Sequence, residues 1–303
     1  MRARSDRRTA PSLIATVAAA VMAAGLYAPF VGGPPVSDDW PVFEAVAQSS
    51  PARLRSWLDP TADAWFRPLS LLYTGLTWRA FETDAAAHRA LGLVLFGLSA
   101  TALGVLAWQI SGDARCAPFG ALAFGLGATH AEPVLWISSH NEILAGGLFL
   151  AAILAQVRHL RGGGLVALAV AHVAGLLALC AKETAYGLPL ALLCLEWRLP
   201  VGPAPQPTRR PAGRSLTAGL RWLARPSVTT GLAVIALGLA RIGPPHPYGT
   251  DLAPVSLLRN GLYSLGMMLA ALPAEGALLT GPGALEPRAI AVAAALGSLG
   301  LIG

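Results

Sequence analysis

The stretch Gly164–Ala185, GLVALAVAHVAGLLALCAKETA, decides what kind of protein this is. From Gly164 to Ala181 its one side chain able to carry charge is His172. The run is about as long as a bilayer core demands, roughly 17–25 residues. Lys182-Glu183 ends it abruptly, and Lys182 is the only lysine in the chain. An ionisable pair beside an apolar run lies at membrane depth or at a membrane surface. Charge is expensive there, and it usually pairs or faces a polar cavity on a substrate pathway.

Composition agrees. The 303 residues are 54% hydrophobic and 13% charged, with mean hydropathy +0.57, far from a soluble domain. The runs Leu13–Phe30, Leu91–Ile110, Ile143–Val157, Gly164–Cys180 and Val228–Ala240 are apolar and near spanning length with their flanks. Cys116–Ala128 is a shorter run of the same kind. The expected fold class is therefore all-α, a polytopic helical membrane protein of about 7–9 spans with juxtamembrane helices in a large first external loop.

Arginine sets the expected orientation. Arg2, Arg4, Arg7 and Arg8 precede the first run, Arg158 and Arg161 lie in a short loop, and residues 198–226 carry Arg198, Arg209, Arg210, Arg214, Arg221 and Arg225 with no acidic residue. By the positive-inside rule these segments and the N-terminus are cytoplasmic, in a multi-pass protein of the cell (inner) membrane. The net charge of +6 then reflects orientation and contact with anionic membrane lipid, not nucleic-acid binding. Alternating crossings satisfy these anchors only if Leu69–Phe81, about 13 residues, stays interfacial. Residues 31–88 (the first external loop), 130–142, 182–185 and 244–255 then share the non-cytoplasmic face. Ser256–Leu272 fixes no parity. The N-terminal run reads as an uncleaved anchor, since no small-residue cleavage site follows it. Residues 198–226 read as an Arg/Pro-rich cytoplasmic linker. Cys116, Cys180 and Cys194 all fall in apolar stretches, against a disulfide framework or a zinc site.

Candidate chemistry gathers on the acidic face. Ser37-Asp38-Asp39-Trp40 follows the first run; adjacent carboxylates can hold a divalent cation or divide the work of base and orienting group. The same residues also suit a turn or helix cap. Arg67, in Trp65-Phe66-Arg67-Pro68-Leu69, offers a planar fork for phosphate, or an interfacial anchor beside Trp57 and Trp65. His130, Glu132, Trp136, His140, Asn141 and Glu142 follow within 13 residues. They fit no standard zinc spacing but suit sugar hydroxyls, with Trp136 as a stacking platform; capping of a helix near Asn141 is the alternative. Lys182 would neutralise a phosphate that Glu183 orients, or the two would simply pair with each other. His88-Arg89 opens another apolar run at the same level and extends the phosphate site. His172 is expected to be a packed, hydrogen-bonded histidine.

The order of these phrases resembles a known pattern. A first span, an external Asp38-Asp39, then Phe66-Arg67-Pro68-Leu69 and a span opening near His88 resemble the GT-C glycosyltransferase superfamily. His130-Ala131-Glu132-Pro133-Val134-Leu135-Trp136-Ile137-Ser138 and Ala181-Lys182-Glu183-Thr184-Ala185 look like the membrane portion of the transmembrane and tetratricopeptide-repeat O-mannosyltransferases and their bacterial relatives. The resemblance covers roughly residues 15–200. It implies transfer of a sugar from a polyprenyl-phosphate donor to a protein, lipid or glycan acceptor outside the cytoplasm, usually with inversion. Asp38 or Asp39 would be the catalytic carboxylate, with Glu132 beside it. Arg67, Lys182 and His88 would meet the donor phosphate. His130, Trp136, His140, Asn141, Glu142 and Glu183 would form the substrate or acceptor environment. A divalent metal at Asp38, Asp39 and Glu132 is the one cofactor in view. Where the family's second-loop phrase continues with Arg and Asp, this chain has His140-Asn141-Glu142, and no tetratricopeptide signature is present. The chain stops at Gly303 within an apolar run, so a C-terminally incomplete GT-C-like domain is expected. Two other classes use similar charges: a transporter or flippase of a lipid-linked anion, and a non-catalytic membrane assembly protein.

Overall fold

A computed structural model describes residues 6–50, 56–59, 66–127, 130–199 and 225–240, and the side chains of residues 6–11 and 238 are not described. The Arg/Pro-rich linker (except its ends), Trp65, and everything expected beyond residue 240 lie outside the described residues. The chain divides into two compact units, Met1–Leu126 with Glu132–Pro244, and Gly127–Ala131 with Pro245–Gly303. Of the second, only Gly127, His130 and Ala131 are described; the architecture below belongs to the first.

Every regular element among the described residues is helical. In chain order they are α1 (Asp6–Gly25), α2 (Asp39–Ala47), α3 (Pro68–Phe81), α4 (Ala85–Ser111), α5 (Cys116–Gly125), α6 (Ala131–Leu135), α7 (His140–Leu160), α8 (Gly164–Ala181), α9 (Leu188–Arg198) and α10 (Pro226–Ala240). Short 3-10 turns lie at Ala28–Phe30, Ile137–Ser139 and Glu183–Gly187. Four helical stretches are long and apolar enough to cross a bilayer: Ser12–Phe30, Ala85–Ser111, Ile137–Leu160 and Gly164–Ala181. Their outward faces carry Ile14, Val21, Met22, Val94, Leu98, Leu165, Val166 and Val173, all exposed. Apolar surface of this extent is stable against lipid rather than water. The described residues are all-helical, and four helices of this length and apolarity point to a membrane protein.

Local chemistry sets where the helices begin and end. Asp84 caps α4 by accepting from the Ala87 amide at 3.1 Å. Gly112 ends that helix with φ +75°, a left-handed conformation that suits glycine. The turn from α7 to α8 runs through Gly162 at φ +95° and Gly164 at φ +71°. Pro68 and Pro189 stand in the first turns of α3 and α9, where a missing amide proton costs nothing.

Packing relies on small residues. Ala19, Ala20, Ala100 and Ala121 close α1, α4 and α5 on one another. Ala152, Ala174, Ala178, Leu188 and Leu192 do so for α7, α8 and α9. A methyl group added at Gly104 would run into the Ala117 carbonyl and come within 2.7 Å of the Thr16 methyl. Without water to drive association, close backbone approach of this kind is what holds membrane helices together.

Contacts along the helices fix their directions. The Ser12 hydroxyl donates to the Ala114 carbonyl at 2.5 Å, so the start of α1 lies beside the α4–α5 turn. At the other end of α1, Tyr27 meets Phe96 edge-on at 5.5 Å. Helices α4 and α7 run side by side in the same direction: Gly92 abuts His140, and seven residues later on each helix Ser99 abuts Gly147. Helix α3 does not follow the bundle. Arg67 binds Glu183, Ser70 donates to the Ala181 carbonyl, and Phe81 meets His88, all at one bundle end. The helix therefore lies across that end. At the opposite end, Gln156 and Ser227 both donate to the Glu196 carboxylate, at 3.0 and 2.8 Å. Exposed Arg115, Arg158, Arg161, Arg198 and Arg225 cluster there.

Candidate functional site

Four segments that are distant in sequence converge at the end crossed by α3: residues 31–47, 66–89, 132–142 and 181–188. The convergence is built by polar contacts between loops, and it separates residues that look alike in sequence.

Asp38 and Asp39 have different fates. Helix α2 starts at Asp39, which turns that side chain inward, where it is fully buried. One carboxylate oxygen accepts from both the amide and the hydroxyl of Ser138, each at 2.8 Å. The other accepts from the Val36 amide at 2.9 Å. A buried carboxylate survives only with such donors. Asp39 thereby ties the first loop to the 3-10 turn before α7. Asp38 is exposed, and the hydrogen bond to its side chain comes from the Ser37 hydroxyl at 3.3 Å. Ser37 itself holds φ +47°, a strained conformation for a residue with a Cβ. So the Val36–Asp39 turn is pinned from beneath and presents Asp38 outward.

Arg89 pins the same loop from the other side. The residue is buried, 3% exposed. It donates to the carbonyls of Leu135 at 2.7 Å, Val31 at 3.2 Å and Pro34 at 2.6 Å, and to that of Gly33. A planar fork with five N–H donors can join two loops in this way, and an ammonium cannot. Sequence placed Arg89 with a phosphate; the structure spends its donors on backbone. His88, expected at the donor phosphate, is corrected likewise. It is fully buried, with Nε2 on the Glu82 carbonyl at 3.0 Å and its ring between Phe43 and Phe81.

The two remaining cations are paired with carboxylates. Arg67 meets Glu183 through Nη2 at 2.7 Å and through Nε at 2.9 and 3.2 Å. Lys182 meets Glu142 at 2.6 Å, and Thr184 donates to the other oxygen of that carboxylate at 3.0 Å. Lys182 and Glu183 do not pair with each other. Lys182 is extended, φ −160° and ψ 152°, and successive side chains of extended backbone point opposite ways. All four charged side chains keep partial exposure, between 18% and 33%.

The other candidates divide by burial. His140 is buried under Gly92, within 3.3 Å of the Tyr73 hydroxyl, so it stands inside the scaffold rather than in an acceptor site. Burial pushes the Tyr73 hydroxyl up to about 12, which keeps it a neutral partner. Trp136 Nε1 and Asn141 Oδ1 are buried and have no hydrogen-bond partner among the described residues. Glu132 is exposed. His130 falls in the smaller unit, and burial lowers its imidazole below the usual range. Among the described residues no group of three His, Cys, Asp or Glu side chains is disposed to hold a metal ion, so Asp38, Asp39 and Glu132 do not assemble as a metal site. His172 bonds back to the Leu168 carbonyl at 2.9 Å. Sequence reasoning missed Ser70, Tyr73, Ser138 and Thr184 as cross-loop ties, and a lone hydroxyl residue carries no local signal of such a role.

Chemically, this end offers the exposed Asp38 carboxylate on a fixed turn, other exposed carboxylates such as Glu132, and two partly exposed cations joined to carboxylates. That set can accept a proton and neutralise an anion. No family model, curated protein or solved structure matches this chain.

Proposed function

We propose that this protein is a membrane glycosyltransferase of the GT-C type, moving a sugar from a polyprenyl-phosphate donor to a protein, lipid or glycan acceptor on the non-cytoplasmic face, with inversion. The observation that carries the reading is that exposed Asp38 lies at the same end of the helix bundle as Arg67 and Lys182. An inverting transfer needs a base for the acceptor proton and cations for the departing phosphate. A lipid-borne donor needs both at the bilayer edge. Asp38 is the base in this reading, and Asp39 positions it. Charge gathered at one end suits transfer better than transport, which would string polar groups through the bundle.

The finer topology belongs to the same proposal. Helices α1, α4, α5, α7, α8, α9 and α10 cross, α3 lies in the interface, and later segments bring the total to about seven to nine. Exposed arginines at the opposite end support assigning it, and the N-terminus, to the cytoplasm. Membranes carrying the protein are expected to incorporate labelled hexose into a protein or glycan fraction when polyprenyl-phosphate hexose is added. No donor-dependent incorporation across mannose, glucose and galactose donors would remove the transferase reading.

Sidedness has its own test. In a background lacking Cys116, Cys180 and Cys194, the variants Ser37→Cys and Thr184→Cys are expected to react in intact cells with a membrane-impermeant maleimide. Gly162→Cys is expected to react only after permeabilisation. Labelling of positions 37 and 184 from opposite sides would break the proposed site.

A further inference from the structure

The two cations assigned to the donor phosphate are already occupied by carboxylates of the protein's own chain. Glu183 covers Arg67 in a forked contact, with Nη2 at 2.7 Å and Nε at 2.9 Å. Glu142 covers Lys182 at 2.6 Å. Neither pair is sealed: the side chains are 22% and 24% exposed in the first, 18% and 33% in the second. A carboxylate matches the shape and charge of half a phosphate, which is why the guanidinium fork takes either. Ion pairs that keep partial contact with water are worth little on their own, so a stronger anion can displace them.

We propose that Glu142 and Glu183 are internal competitors for the anion seat, so that a phosphate-bearing ligand binds by exchanging with them. The inference rests on the transferase reading and extends it to how the donor is admitted. The two pairs sum to zero charge, so the seat does not attract anions indiscriminately. A ligand must displace at least one carboxylate, and a phosphate attached to a prenyl chain gains apolar burial that free phosphate lacks. Exchange also has a structural reach. Arg67 immediately precedes α3, and Glu183 is in the turn after α8, so displacing Glu183 breaks one of the ties that hold α3 across the bundle end. The Ser70 bond to the Ala181 carbonyl at 2.6 Å and the contact of Tyr73 with His140 at 3.3 Å remain to hold it. Thr184 donates to Glu142 at 3.0 Å, which steadies the resting pair and leaves a hydroxyl for the displaced state.

The test uses the full chain in phosphatidylcholine nanodiscs, with farnesyl phosphate and inorganic phosphate as separate probes and thermophoresis as the readout. Glu183→Gln and Glu142→Gln each remove a competitor and keep the side-chain shape. Each is expected to tighten farnesyl phosphate binding by about 2- to 5-fold, the worth of one exposed ion pair. Parallel tightening of inorganic phosphate means that the phosphate group alone is read; tightening of the prenyl form alone means that the lipid is read too. Both support exchange. Glu183→Asp and Glu142→Asp retract the carboxylate by one methylene and keep the charge, so they report even if a Gln variant fails to fold; a smaller tightening is expected. Unchanged or weaker binding in all four variants overturns exchange. Arg67→Gln and Lys182→Met separate the two ideas. If they abolish wild-type binding while no glutamate variant tightens, the anion seat stands and competition falls. If the wild type and every variant bind neither probe, both fall.

Discussion

Asp38→Asn is expected to abolish sugar transfer, by about 10²- to 10⁴-fold, while the protein inserts and melts as the wild type does. The amide has the shape of the carboxylate but cannot take the acceptor proton. Its structural cost is small because Asp38 is exposed and receives one side-chain hydrogen bond, from Ser37 at 3.3 Å. Asp39→Asn behaves differently. Its remaining oxygen can still accept from Ser138, but its amide group would face the Val36 N–H, donor against donor. A buried mismatch of that kind costs about 1–3 kcal/mol, so Asp39→Asn is expected to lower the melting temperature and reduce transfer only as far as the turn loosens. Donor-dependent transfer and thermal unfolding, measured on both variants, decide the matter. Full activity in Asp38→Asn with lost activity in a normally melting Asp39→Asn would exchange their roles.

Much of the fold was legible because membrane helices are written in length and apolarity. The runs around residues 13–30, 91–110, 143–157 and 164–180 each became a helix of spanning length, since a bilayer leaves the backbone no other way to satisfy its amides. Leu69–Phe81, expected to be too short to cross, falls within the helix Pro68–Phe81, whose contacts lie at one bundle end. Shorter runs were harder. The segment from Cys116 forms a helix of 10 residues and that from Leu188 one of 11, short for a bilayer on their own.

The site was legible as a set of residues but not as a set of roles. Asp38 and Asp39 have the same local chemistry, and only the phase at which α2 begins puts one inside and the other out. Lys182 beside Glu183 invites pairing, yet extended backbone between them sends each to a partner more than thirty residues away in sequence. His88 and Arg89 stand at the mouth of an apolar run, where charge usually means function. Here they serve the loops, because the carbonyls of Val31, Gly33, Pro34, Glu82 and Leu135, converging at a bundle end, need buried donors as much as a ligand does.

Arg89→Ala is expected to be the most destabilising single change at this end, about 3–5 kcal/mol, and to release the loop that carries Asp38. Hydrogen bonds from a charged donor are worth about 1.5–3 kcal/mol each and are not additive around one group. Arg89 makes them to Leu135 on one side and to Val31, Gly33 and Pro34 on the other, so its loss unpins both. The methyl group of alanine leaves a cavity at a position 3% exposed. Arg89→Lys keeps the charge but offers one point in place of a fork, and is expected to recover about half of the stability. Limited proteolysis in detergent checks the local part: cleavage within residues 31–47 should accelerate in both variants, more in Ala than in Lys, while the α7–α8 pair stays protected. Equal melting temperatures for wild type and Arg89→Ala would mean that those carbonyls find water without help. The first loop would then owe its position to Asp39 alone, and the order of effects, Asp39→Asn above Arg89→Ala, would say so directly.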